Sequence, residues 1–248
     1  MMQDATVPRG SLLPLRAEVP LVFDSYFLLK LAHILLFVYW LGGDVGVFYS
    51  ATFVRNAAVS IEGRRMALKI LAWVDQIPRY CLVLMLPVGY TLALRVGVVR
   101  LPIPFMVALW VIALGWLWMV WSIHHHQGTP FGERLRKIDL AWRFVLAGGL
   151  LFDAWQGFTR TGHLLTDWIS LKFTIFALLI GCGIMIRLLG KPSAPALRQI
   201  FATGSTPELE AVVRRTAGRT VPFVIAIWAL LVVAAYVGIA KPEFGVAP

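Results

Sequence analysis

The chain has 248 residues, of which 59% are hydrophobic and 15% charged, with a formal net charge of +10. Soluble domains run at about 45–50% apolar and about 25% charged residues, so this composition argues against a water-soluble globule, which would lack the polar surface to cover its core. The excess positive charge comes without a groove-reading motif and sits between apolar runs, so nucleic acid is not the expected partner.

Residues 1–20 are polar, carry Pro8, Pro14 and Pro20, and lack the apolar centre of a cleavable signal. A bilayer core takes about 20 apolar residues as a helix. Six stretches qualify: 21–49, 66–96, 104–123, 140–158, 168–189 and 221–240. The runs are long and lack the period-two alternation of a membrane barrel. Helices also satisfy their own backbone in lipid. The expected fold is therefore all-α, a polytopic bundle of about six transmembrane helices lying within 21–240, followed by a tail at 241–248.

The longest polar connection is 190–220. Thr206-Pro207-Glu208 suits a helix start, with proline in the first turn and an acid near the positive helix end. Residues 208–217 then read as a short basic helix at the membrane surface, near anionic lipid.

Loop charges set the orientation. Arg55, Arg64, Arg65 and Lys69 follow the first span, and Arg134, Arg136 and Lys137 follow the third. Arg187, Lys191, Arg198, Arg214, Arg215 and Arg219 surround the 190–220 connection. Arg9, Arg16, Arg100, Arg160 and Lys241 are the sparser set on the opposite side. By the positive-inside rule the denser set is cytoplasmic and both termini lie outside. The expected location is a bacterial inner membrane.

An ionisable side chain inside a span costs about 2.5–3.5 kcal/mol on insertion scales, so such residues are the functional candidates. The first span carries Lys30, His33 and Asp44. Helical spacing puts His33, Trp40 and Asp44 nearly in line, with His33 near mid-bilayer. Between them, Gly42 and Gly43 allow close approach by a backbone or a flat ligand. Asp75 and Arg79 are four apart, suited to an ion pair within the helix, and Asp44–Arg79 is an equally good pair between helices. His124, His125 and His126 fan around a helix end and cannot all face one metal ion. Asp153, Gln156 and Arg160 share a face in the fourth span, and Lys172 enters the fifth one turn after Trp168, which suggests a polar outer cavity between these two spans. Cys81 and Cys182 fall inside apolar runs without metal-binding spacing. No Walker loop, dinucleotide fingerprint or Ser-His-Asp pattern is present.

The stretch Leu29-Lys30-Leu31-Ala32-His33-Ile34, followed by Trp40-Leu41-Gly42-Gly43, resembles the opening helix of a bacterial membrane superfamily. That group includes the copper-resistance protein D family and the membrane-bound protoporphyrinogen oxidases of the HemJ type. Trp168-Ile169-Ser170-Leu171-Lys172 is similar to a W-x-x-x-K segment of the oxidases. The resemblance implies a haem b or porphyrin ligand and a membrane redox step. It places the haem and activity roles on His33 and Lys172. Added to it, the residues themselves suggest His33 as the iron ligand, Trp40, Gly42, Gly43 and Arg160 around the cofactor, and Asp153 beside Lys172 in the chemistry. A quinone or electron-transfer protein would be the redox partner. Copper is the alternative metal. A copper or small-solute permease, with Asp44, Asp75, Arg79 and Asp153 along its path, is a second expectation. An anchor or assembly subunit, within a complex or a homo-oligomer, is a third.

Overall fold

In the computed structural model, residues 25–244 are described. The readings of 1–20, of the first span's start at 21–24, of Arg9 and Arg16, and of the last tail residues 245–248 lie outside them. The described chain forms eight helices: α1 (Ser25–Arg55), α2 (Ile61–Val74), α3 (Gln76–Arg95), α4 (Ile103–His125), α5 (Pro130–Phe158), α6 (Asp167–Leu189), α7 (Ser193–Thr203) and α8 (Pro207–Ala240). The fold is all-α, as expected. Five stretches are long and apolar enough to cross a membrane: α1, α2 with α3, α4, α6 and α8.

Local chemistry explains where the helices differ from the expectation. The single span 66–96 is two helices meeting at Asp75. Pro78 lacks the N–H that would bond the carbonyl four residues back, and its ring crowds that carbonyl, so the helix breaks just upstream. The 140–158 span belongs to a longer helix that begins at Pro130. Thr129 caps it by accepting from Gly132 N–H, with proline in the first turn. Residues 208–217 are not a separate surface helix. They are the first turns of α8, which continues through Pro222 to Ala240. Thr206 caps that helix by accepting from Leu209 N–H, as the Thr-Pro-Glu signal implied. The connection before it contains α7.

The long helices pack as a closed ring. α1 rests on α3, α3 on α4, α4 on α5, α5 on α6, α6 on α8, and α8 returns to α1. One end of the ring holds the α3–α4 and α5–α6 loops, joined by a bridge between Val99 and Leu164. Arg100 N–H donates to His163 O at 2.9 Å, and Leu165 N–H to Val98 O at 3.0 Å, in the same bridge. The other end, the basic end, brings Arg65 of α2, Gln127 of the α4–α5 loop and Arg198 of α7 around one groove. α5 therefore runs the length of the bundle between the two ends. It is less apolar than its neighbours because it carries Asp139, Arg143 and Asp153.

Outward faces are apolar to a degree no aqueous surface would be. On α4, Ile103, Phe105 and Val111 are 76%, 65% and 64% exposed. Such a continuous apolar belt marks a surface solvated by lipid. The chain is a multi-pass membrane protein.

At the basic end a second, smaller core joins Val54, Ala67, Ala196, Leu197, Ile200 and Val213 from α1, α2, α7 and α8. Arg64 is buried in it. Its guanidinium donates to Val54 O at 2.9 Å and to both carboxylate oxygens of Glu210, at 2.6 and 3.2 Å. A two-pronged Arg–carboxylate contact orients as well as attracts, so this pair locks α8 to α2.

Candidate functional site

Inside the ring, towards the end opposite the basic one, lies a cavity of about 530 Å³ between α1, α3, α6 and α8. That lies within the roughly 300–1,000 Å³ range of small-molecule sites. His33 and Trp40 of α1, Met85 and Tyr90 of α3, and Lys172 and Phe176 of α6 line it. Two glycines make room for the polar groups. A Cβ on Gly89 would stand 3.3 Å from His33 Cε1, and one on Gly238 would stand 2.8 Å from Lys172 Nζ. The His33 Nδ1 atom is buried and has no hydrogen-bond partner. A buried ring nitrogen left unpaired costs about 1–3 kcal/mol.

The charge on the cavity wall has one sign. Lys30, Lys172 and Lys241 line it, and no carboxylate does among the described residues. Lys241 adopts the left-handed conformation (φ 47°) at the end of α8 and lies over the Trp168 ring at 5.8 Å. The segment after it is tied down at the same end. Asp167 N–H donates to Glu243 at 2.9 Å, and Phe244 N–H donates back to Asp167 at 2.7 Å. Deeper in, the wall turns aromatic, with Trp40 set edge-on to Phe176 at 6.1 Å. The site is a cationic mouth over an apolar, aromatic floor.

Asp153 does not line this cavity, but it touches a residue that does. Tyr90 Oη donates to Asp153 Oδ2 at 2.9 Å. His163 of the α5–α6 loop stacks on the Tyr90 ring, and its Nε2 lies 3.8 Å from the same carboxylate oxygen. Tyr90, Asp153 and His163 thus cluster between the cavity and the loop at the bundle end, the first two joined by a hydrogen bond and His163 Nε2 buried without a hydrogen-bond partner among the described residues. Sequence reasoning missed Tyr90 and His163. A tyrosine in an apolar run and a histidine in a loop carry no spacing signal, and only the packing of α3 against α6 and that loop unites them.

A second polar layer lies about 16 Å further along α1, at the rise of 1.5 Å per residue between His33 and Asp44. Arg79 pairs with Asp75 through Nε at 2.9 Å and through a second, closer nitrogen. Asp44 lies within electrostatic range of both without an ion pair of its own among the described residues. Beside them, Asp139 is fully buried. It accepts from Trp116 Nε1 at 2.7 Å, Arg143 Nε at 3.1 Å and Arg187 Nη1 at 2.6 Å, which ties α4, α5 and α6 together. The Arg143 guanidinium also covers the Trp116 ring at 5.4 Å. The Asp139–Arg143 spacing of four is the same signal that singled out Asp75 and Arg79. Asp139 falls just outside the apolar run 140–158, so that run does not show the pair.

The remaining candidates are placed elsewhere. The polar cavity expected between the fourth and fifth spans is instead formed by α1, α3, α6 and α8, and of Asp153, Gln156, Arg160 and Lys172 only Lys172 lines it. Arg160 faces away, paired with Asp167 at 2.8 Å. Gly42 and Gly43 are not on the cavity wall either. A Cβ on Gly43 would meet the Pro78 ring at 2.9 Å, so this glycine seats α1 on the start of α3. Gly42 has open space around it. His125 and His126 use Nδ1 to bond the Trp121 and Ser122 carbonyls, at 2.9 and 3.0 Å, and so cap the end of α4. Among the described residues no group of three or more His, Cys, Asp or Glu side chains is placed to hold a metal ion.

No family model, curated protein or solved structure matches this chain.

Proposed function

We propose that this membrane protein binds a flat, apolar, carboxylate-bearing ligand, haem b or a porphyrin, in the cavity between α1, α3, α6 and α8, and that it supports a membrane redox step. The observation carrying this reading is the pairing, in one apolar cavity, of His33 with an unpartnered ring nitrogen and Lys172 with no carboxylate on the wall among the described residues. Imidazole is a common axial ligand of haem iron, and lysines at the mouth suit propionate groups. The aromatic floor of Trp40 and Phe176 suits a ring system.

His33 would hold the iron, and Lys30, Lys172 and Lys241 would hold the carboxylates. Met85 and Tyr90 are further wall residues whose side chains carry atoms able to bind iron. When bound, haem supplies one-electron chemistry, exchanged with a quinone or an electron-transfer protein. The protein's own residues would manage the proton. Tyr90 Oη takes a proton on its cavity side as its own hydrogen passes to Asp153, and His163 relays it to the bundle end. A sixth pass through α5, beside the five apolar ones, both termini outside and residence in a bacterial inner membrane belong to the same proposal, with the loop charges supporting the orientation. Copper handling has no comparable support, since no cluster of ligating side chains accompanies His33 among the described residues.

The test is an absorption spectrum of detergent-purified protein, before and after adding haem. A Soret band that shifts on binding, and that His33→Ala removes, supports the reading. A spectrum equal to free haem in detergent, or one left intact by His33→Ala, overturns it.

A further inference from the structure

The basic end carries a second recess whose chemistry differs from that of the cavity. Arg65, Lys69 and Arg198 line a groove between α2 and α7, with Gln127 at one side and no carboxylate among the described residues. Its floor is apolar: Leu68, Ala72, Phe201 and Ala202. Arg65 donates to the Phe201 carbonyl and lies over the Phe201 ring at 5.6 Å, so α7 is held beside α2 and the groove has fixed walls.

The neighbouring face of α2 is of another kind. Met66, Ile70 and Trp73 are 58%, 49% and 69% exposed. Their spacing of four and three places them on one stripe of the helix, next to the stripe of Arg65 and Lys69. α2 therefore presents a cationic face and a bare apolar face side by side, with an exposed tryptophan at its end. α2 runs antiparallel along α1, with Val74 against Gly46 and Ala67 near Val54, and leads into α3, so its apolar stripe faces acyl chains while its cationic stripe reaches the headgroups at the basic end.

We propose that the α2–α7 groove binds the headgroup of an anionic phospholipid, whose acyl chains run along Met66, Ile70 and Trp73. Arg65, Lys69 and Arg198 surround the phosphate, and Gln127 adds an amide donor. A zwitterionic lipid brings its own cation into a groove that already holds three. The occupant is a lipid rather than an acidic protein segment because the apolar stripe continues directly from the cationic wall. The cavity's content has no bearing on this proposal.

The test is native mass spectrometry of the full chain in detergent with added phosphatidylglycerol or phosphatidylcholine. Lys69 and Arg198 are exposed and make no hydrogen bond or ion pair among the described residues, so Lys69→Gln/Arg198→Gln keeps the fold. The expected result is retention of phosphatidylglycerol over phosphatidylcholine, weakened by about fivefold for each of the two cations removed. Ala202→Glu, which sets a carboxylate on the groove wall, weakens it likewise. Arg134→Gln/Lys137→Gln, two exposed cations at the same end on α5, leaves it unchanged. Equal retention of both lipids, or equal loss from the groove and the α5 double variants, overturns the proposal.

Discussion

The backbone of Gly89 on α3 lies so close to the His33 imidazole on α1 that a single added carbon would stand 3.3 Å from its Cε1. That approach keeps the ring at the cavity edge and leaves the cavity open beyond it. Gly89→Leu fills the space in front of the histidine. It should lower haem affinity by more than tenfold, in an absorption titration, while the purified variant remains folded. Unchanged affinity would mean that the ligand does not use this cavity.

Lys172 tests the charge side of the same site. A hydrogen bond to a charged group contributes about 1.5–3 kcal/mol. Lys172→Met keeps most of the side-chain bulk and should weaken a dicarboxylate porphyrin by about ten- to a hundredfold. A porphyrin with both carboxylates esterified should show little difference between the two proteins. Arg160→Gln removes an equal charge at the same end, but that charge faces Asp167 rather than the cavity, so binding should be unchanged.

Tyr90→Phe and Asp153→Asn separate proton handling from binding. Neither removes the cavity or His33, so the ligand spectrum should persist in both. If the relay carries a proton during turnover, the rate should drop by about 10²–10⁴-fold, the span of general acid–base effects. Stopped-flow reduction and reoxidation at several pH values would read this. Wild-type rates in Tyr90→Phe would remove the relay from the mechanism.

The buried Asp139 makes a stability prediction that does not depend on any ligand. Removing one partner of a buried ion pair costs about 3–5 kcal/mol, and here two guanidiniums would be stranded. Asp139→Ala should lower the thermal midpoint in detergent far more than Asp75→Ala, whose partner Arg79 is about one-third exposed (36%). Comparable losses in the two variants would show that Asp139 is better solvated than its geometry implies.

Two glycines on α5 should behave in opposite ways. A Cβ on Gly157 would fall 2.1 Å from Ser170 Oγ and 3.0 Å from Leu164 Cβ, where α5 crosses the start of α6. Ser170 is fully buried, so it has nowhere to retreat. Gly157→Ala should destabilise by about 1–3 kcal/mol or more, the usual cost of overpacking. Gly148 has nothing within 4 Å, so Gly148→Ala should be neutral or slightly stabilising, since alanine is the better helix former. Thermal melts of the two variants side by side would decide it.

The apolar runs show how far a linear reading carries. A stretch of about 20 apolar residues must become a helix in lipid, because no other isolated segment satisfies its backbone there, so five of the six expected spans are legible before any coordinates, while 140–158 lies in α5, which is not apolar enough to count among them. Capping chemistry is equally local, and Thr206-Pro207 marked the start of α8. The merging of residues 208–217 into that helix was not legible. The basic stretch 208–217 and the apolar run 221–240 read as separate elements, yet α8 runs through Pro222 with the Arg64–Glu210 pair anchoring its first turns to α2.

Composition and spacing by themselves determined that this protein lives in lipid as an α-helical bundle, and they singled out His33, Lys172 and Asp153 as residues too costly to place there idly. Only the tertiary structure decided which of them meet. It put His33 and Lys172 in one cavity, linked Asp153 to that cavity through Tyr90, turned Arg160 towards Asp167, and used Gly43 to seat a helix. The reason is physical: the cost of burying a charge belongs to the residue, whereas its partner is set by how helices distant in sequence close into a ring.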